Sequence, residues 1–69
     1  MDKRLIRTIR DVEKMNQYQF AELVGVSRST IAYIEAGYTP VSEKVSRKII
    51  EVIGQDRVDK IAALIEVDK

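Results

Sequence analysis

Apolar residues recur every three or four positions along the chain, and no stretch alternates apolar with polar residues between hairpin turns. The pattern predicts five helices and no strand. The first covers about residues 2–14, with Leu5, Ile6, Ile9 and Val12 on one side. The second runs from Gln17 to Val24 behind an Asn16 N-cap, with Phe20, Leu23 and Val24 inward, and Gly25 stops it. Ser27 caps the third, which ends at Gly37. The loop "GYTPV" follows, with Pro40 as a breaker. Ser42 caps a fourth helix that uses Val45, Ile49, Val52 and Ile53 and stops near Gly54. The fifth covers about residues 56–67, with a stripe of Val58, Ile61, Ala62 and Ile65 that Leu64 and Val67 widen sideways. The expected fold is an all-α, compact five-helix bundle forming one domain over residues 1–69.

The third helix divides unusually. At about 100° per residue, Thr30, Ile31, Ile34 and Glu35 fall on one side and can pack on a core. The other side holds Arg28, Ser29, Ala32, Tyr33 and Ala36, with no acidic residue. Two short helices joined by a turn containing Gly25 form a helix-turn-helix, a motif whose second helix enters the DNA major groove. Arg28 stands in the first turn of that helix, where an arginine can donate two hydrogen bonds to O6 and N7 of a guanine. Ser29 can serve a base or a phosphate. Tyr33 can meet a thymine methyl or bond a phosphate through its hydroxyl; its alternative is to pack on a neighbouring helix. Ala32 and Ala36 are small enough to let the helix axis come close.

The stretch "NQYQFAELVGVSRSTIAYIEAG" resembles the helix-turn-helix of the lambda-repressor and Cro-like family of phage and bacterial regulators. The matching features are Asn16–Gln17, Ala21 with Gly25, "GVSRSTI", and Glu35 with Gly37; upstream, Arg10 stands seven residues before Gln17. The likeness covers residues 5–37, about half the chain. It implies base reading by Arg28, Ser29 and Tyr33, a phosphate contact at Gln17, and a structural ion pair between Arg10 and Glu35. Helix N-termini gather anions through free N–H groups, so Asn16 and Ser27 join Gln17 as phosphate candidates. A carboxylate at the edge of an apolar stripe also needs a partner, and arginine can supply a two-pronged bond. Beyond residue 37 the likeness weakens. The loop after the third helix carries no charge, which leaves Tyr38, Thr39 and Lys44 as its phosphate candidates. Ser46 and Arg47 stand where the family has apolar residues, and Arg47 and Lys48 read as a solvated face.

Composition narrows the function classes. The formal net charge is only +1, but residues 1–48 carry nine Lys/Arg against six Asp/Glu, while residues 49–69 carry three against five. The basic excess therefore goes with the helix-turn-helix. The chain has no histidine and no cysteine, so no disulfide, cofactor or ordinary metal site is expected. Without a glycine-rich phosphate loop either, an enzyme is not expected, nor a small-molecule ligand. Asp56 and Asp59 read as helix-start charges. "MDKRLIRTIRDVEK" is too charged for a signal-peptide core, and "IAALI" is too short to span a membrane. The expected setting is the cytoplasm of a bacterial or phage-infected cell.

These features give one leading expectation: a sequence-specific double-stranded DNA-binding regulator, repressing by occupancy of a two-fold operator as a homodimer. Sixty-nine residues leave no room for a separate effector domain. The dimer is expected through the fifth helix, with Ile61, Leu64 and Val67 at the interface; the alternative is that all three finish the core of the single chain. The alternative is a protein-interaction module, an antitoxin or antirepressor, with secondary DNA binding.

Overall fold

Helix α1 spans Lys3–Val12, α2 Gln17–Val24, α3 Arg28–Ala36, α4 Glu43–Ile53 and α5 Gln55–Val67. This computed structural model describes the backbone of residues 1–67 and the side-chain surroundings of residues 1–65. No strand occurs among the described residues, and none of their helices is long and apolar enough to cross a membrane.

Each of the first four helices begins at a side-chain cap. Asp2, Asn16, Ser27 and Ser42 accept hydrogen bonds from the backbone N–H groups of Leu5, Gln19, Thr30 and Val45, which a helix start otherwise leaves without partners. At Asn16 the cap is reciprocal: Gln19 Oε1 accepts from the Asn16 N–H at 2.9 Å while Asn16 Oδ1 accepts from the Gln19 N–H at 2.8 Å. The helices stop as locally as they start. Gly25 and Gly37 take the left-handed conformation at φ 84° and 85°, where a Cβ is strained. At the end of α1 the same conformation falls to a lysine. Lys14 sits at φ 56°, with its N–H bonded to Asp11 O and the Met15 N–H bonded to Arg10 O. This paired closure ends α1 at Val12, two residues short of the end expected from periodicity.

α1 packs on α3 and α5, α2 on α3 and α4, and α4 on α5. Their shared core holds Ile6 and Ile9 of α1, Phe20, Ala21 and Val24 of α2, and Ile31 and Ile34 of α3. Val45 and Ile49 of α4 and Val58 and Ile61 of α5 complete it. The helix-turn-helix is thus one wall of the bundle, and α5 lies on α1 and α4 rather than on α3.

Four apolar residues depart from the expected faces. Leu23 and Val12 are each partly exposed, because the inward arc of α2 runs through Phe20, Ala21 and Val24, and that of α1 through Ile6 and Ile9. α4 is turned so that Val45 and Ile49 lead and Ile50 and Ile53 border the core, which leaves Val52 on the outer edge and Ser46 half-buried. Ile61 is only 3% exposed. Its expected place in a dimer interface is therefore corrected: it fills the core of its own chain. Leu64 is 60% exposed, and Val67 lies outside the residues whose side chains are described.

Lys14→Gly is expected to raise stability by about 1 kcal/mol, since the left-handed conformation costs a residue with a Cβ about 1–2 kcal/mol and glycine's extra freedom when unfolded takes back part. A thermal melt checks this; an unchanged or lower midpoint would mean that the turn at Lys14 is not strained.

Candidate nucleic-acid interface

The inner side of α3 is fixed by Ile31 and Ile34 in the core and by Glu35 beside them. Glu35 is met by Arg10 across the α1–α3 contact. Arg10 Nε donates to Glu35 Oε2 and Arg10 Nη2 to Glu35 Oε1, both at 2.8 Å, and Arg10 Nη1 donates to the Met15 carbonyl at 3.0 Å. The two side chains are 15% and 8% exposed, so water screens the pair poorly. Hydrogen bonding to Glu35 holds the Arg10 guanidinium above its ordinary pKa, against the opposing effect of burial. A raised pKa in the folded state means that the stabilisation is fully present below the unfolded value. It is lost only in strongly alkaline solution, so Arg10 keeps its charge across ordinary pH. Gln17 Nε2 approaches Glu35 Oε1 at 3.4 Å, a long and weak hydrogen bond that still turns the amide towards α3.

With its inner side held, α3 presents Arg28, Ser29 and Tyr33 outward, all three exposed. No acidic residue lies in the first turn of α2 or of α3. Both helix starts therefore keep their positive dipole ends without a carboxylate to neutralise them. Ser27 Oγ accepts from the Thr30 N–H at 3.2 Å and shares a hydrogen bond with Thr30 Oγ1 at 2.9 Å. Asn16 Oδ1 is engaged as the cap of α2, which leaves its Nδ2 group as the donor suited to an anion.

The end of α3 shapes the rest of the face. The Gly37 N–H bonds to Ile34 O at 3.1 Å and the Tyr38 N–H to Tyr33 O at 2.9 Å, a paired closure that folds Tyr38 back over the last turn. The Tyr33 and Tyr38 rings consequently meet at 6.2 Å between centroids, tilted by 60°. Tyr33 keeps 53% exposure, so this contact supports one side of the ring and leaves the other in solvent. Thr39 and Lys44 are also exposed, and among the described residues no ion pair holds Lys44. Arg47 lies outward in an exposed ion pair with Glu43 at 3.5 Å, of little energetic consequence.

Two features of the site have no signature in the sequence. Tyr18, 69% exposed in the first turn of α2, lies under Arg28, whose Cζ is 5.1 Å from the ring centroid. Helical periodicity relates residues within one helix and gives no sign of this contact across the turn. The second concerns the cations. Lys3 reaches the end of α3 and Lys48 the end of α2: Cβ atoms placed on Gly37 and Gly25 would stand 3.0 and 3.6 Å from their ammonium groups. Each sits at a helix C-terminus, where the dipole favours a cation. Lys3 also brings a positive charge beside the uncharged loop, and Lys48 is half-buried rather than part of a solvated face. Among the described residues, no group of three or more His, Cys, Asp or Glu stands close enough to hold a metal ion.

Comparison with protein families finds a match to this chain. The family model described as helix-turn-helix matches residues 6–59, more than three quarters of the chain. No curated protein and no solved structure gives a significant match.

Arg10→Met is expected to destabilise the fold by about 3 kcal/mol, the low end for breaking a buried ion pair, by leaving Glu35 without its partner. That is a large share of what a small domain has. The double variant Arg10→Met with Glu35→Leu should recover part of the loss. Urea titrations of the three variants check this, and small additive effects would show that the pair contributes little.

Proposed function

The chain belongs to the lambda-repressor and Cro-like helix-turn-helix family of DNA-binding transcriptional regulators, and from that we propose that it is a sequence-specific repressor acting as a homodimer on a two-fold operator. The observation that carries the proposal is the outer face of α3. It is exposed and free of carboxylates, and it begins with an arginine at the position from which a recognition helix meets base edges.

On this reading Arg28 reads a guanine through its two-pronged N–H edge, with Ser29 and Tyr33 reading neighbouring positions. Gln17, Asn16 and Ser27, at the starts of α2 and α3, hold phosphates together with the backbone N–H groups there. Tyr38, Thr39 and Lys44 extend that grip past the end of α3, and the ammonium of Lys3 lies beside them. Arg10 and Glu35 touch no DNA; they set the angle of α3 against α1. Repression needs no further chemistry, since a protein covering promoter DNA excludes polymerase. The setting is the cytoplasm, where such DNA is found.

One recognition helix reads only a few base pairs, and each mismatch costs only about 1–3 kcal/mol, too little to single out one site in a genome. Pairing two chains, with recognition helices about 34–36 Å apart, doubles the readout. The exposed Leu64 on α5 supports an interface there, away from α3.

The test is a selection of bound duplexes from a random pool, followed by titrations at two salt concentrations. A repressor of this kind selects a two-fold site and weakens steeply as salt rises. A protein-interaction module does neither. Arg28→Ala should lose about 1–3 kcal/mol of discrimination at one base pair per half-site, whereas Gln17→Ala should weaken all sequences alike. Uniform weakening by Arg28→Ala would overturn its base-reading role. Leu64→Asp should remain folded, sediment as a monomer and bind the full site weakly; a dimer with unchanged affinity would place the interface elsewhere.

A further inference from the structure

Arg28 is held in an uncommon way. It is the first residue of α3, at the positive end of the helix dipole, where a cation is disfavoured. Among the described residues no carboxylate pairs with it. Its guanidinium instead lies over the face of Tyr18, with Cζ 5.1 Å from the ring centroid. The negative face of an aromatic ring attracts a cation, and arginine adds plane-to-plane stacking.

The choice of partner matters chemically. A carboxylate would hold Arg28 through the same in-plane N–H edges that bond O6 and N7 of a guanine, so that reading the base would first require breaking the pair. A ring holds the guanidinium by its flat side and leaves the N–H edges unspent. A long, exposed arginine otherwise loses rotamer freedom on docking, and a support already in place lowers that loss. Both residues stand in first turns, Tyr18 in α2 and Arg28 in α3, and the angle between those helices is fixed by core packing.

We propose that Tyr18 is a positioning residue for base recognition: its ring pre-orients Arg28 so that the guanidinium edge meets a guanine, and its hydroxyl is dispensable. The proposal rests on Arg28 acting as a base reader and names the residue that makes it effective.

The test uses a duplex selected from a random pool by the wild-type protein, its single-base-pair variants, and a random duplex of equal length. Tyr18→Ala should reduce discrimination at the base pair read by Arg28 about two- to fivefold, the size of an exposed cation–π contact, and leave affinity for the random duplex unchanged. Tyr18→Phe should keep wild-type discrimination. In an Arg28→Ala background Tyr18→Ala should change nothing further. In the free protein, the ring-current shift of the Arg28 side-chain protons should vanish in Tyr18→Ala and persist in Tyr18→Phe. Thermal melts establish that each variant is folded, as expected for a residue this exposed.

Three results would overturn the proposal while leaving the base-reading role of Arg28 intact. Equal weakening on every duplex by both Tyr18→Ala and Tyr18→Phe would make the hydroxyl a phosphate ligand. An undiminished effect of Tyr18→Ala without Arg28 would make the ring a base contact in its own right. Unchanged discrimination in Tyr18→Ala would show that Arg28 needs no support. If instead Arg28→Ala leaves base preference intact, the base-reading role has failed and the positioning role falls with it. A surviving ring-current shift would then mark the failure as one of function rather than of geometry.

Discussion

The two-pronged bond between Arg10 and Glu35 is the constraint on which the recognition half of the molecule depends. One guanidinium satisfies both carboxylate oxygens of α3 and, through its third nitrogen, the carbonyl of Met15 in the turn between α1 and α2. Gln17, the first residue of α2, leans on the same carboxylate. Three helices and a turn therefore meet at one polar point on the edge of an apolar core. Hydrophobic contacts alone would let α3 slide or roll, because burial is proportional to area and indifferent to direction. A planar fork against a carboxylate tolerates little rotation. The pair thus contributes orientation where Ile31 and Ile34 contribute affinity between helices.

Orientation matters because α3 has no residues to spare. Its nine positions are split between an inner stripe that must be buried and an outer face that must stay free of carboxylates. Both termini are closed without recruiting acidic groups: Ser27 caps the start through a neutral hydroxyl, and Gly37 turns the chain so that Tyr38 supports Tyr33. An aspartate at the cap position would serve the helix as well, yet it would put a negative charge where a phosphate is proposed to sit. Neutral caps, an aromatic support under Arg28 and lysines placed over helix C-termini all stabilise the motif while leaving its outer face positive or neutral.

How much of this was legible in the sequence follows from the range of each interaction. Caps and left-handed glycines act over three or four residues, so Asn16, Ser27, Ser42, Gly25 and Gly37 mark helix ends directly. Periodicity located the buried stripes, and it erred at their margins. Leu23, Val12 and Val52 sit on the shoulders of apolar arcs, where burial depends on which neighbour lies across. Ile61 was misjudged for the opposite reason: a stripe too wide for one task does not say which of its members turns inward. The end of α1 was misplaced because a lysine adopts the conformation that glycine usually marks. At the candidate site, Arg10, Glu35, Arg28, Ser29 and Tyr33 were nameable from spacing and the family resemblance. Tyr18 against Arg28 and Lys3 against Gly37 were not, since each joins residues whose proximity exists only once the helices cross.

The distribution of charge ties fold and function together. Of the acidic residues after position 49, Glu51 lies near the end of α4 and Asp56 and Asp59 in α5, which packs on α1 and α4 and so keeps these carboxylates off α3. The proposed DNA face is nevertheless only modestly cationic, and most of its phosphate donors are neutral: Gln17, Asn16, Ser27, Tyr38 and Thr39. Non-specific DNA binding draws almost wholly on cations that displace counterions, whereas neutral donors need correct geometry to contribute. On the proposed reading such a face is drawn to every duplex by only a few cations per chain, and base contacts from Arg28, Ser29 and Tyr33 must supply the preference for one. Low net charge is then compatible with recognition of DNA, because it limits the binding that every sequence shares while preserving the binding that one sequence alone can complete.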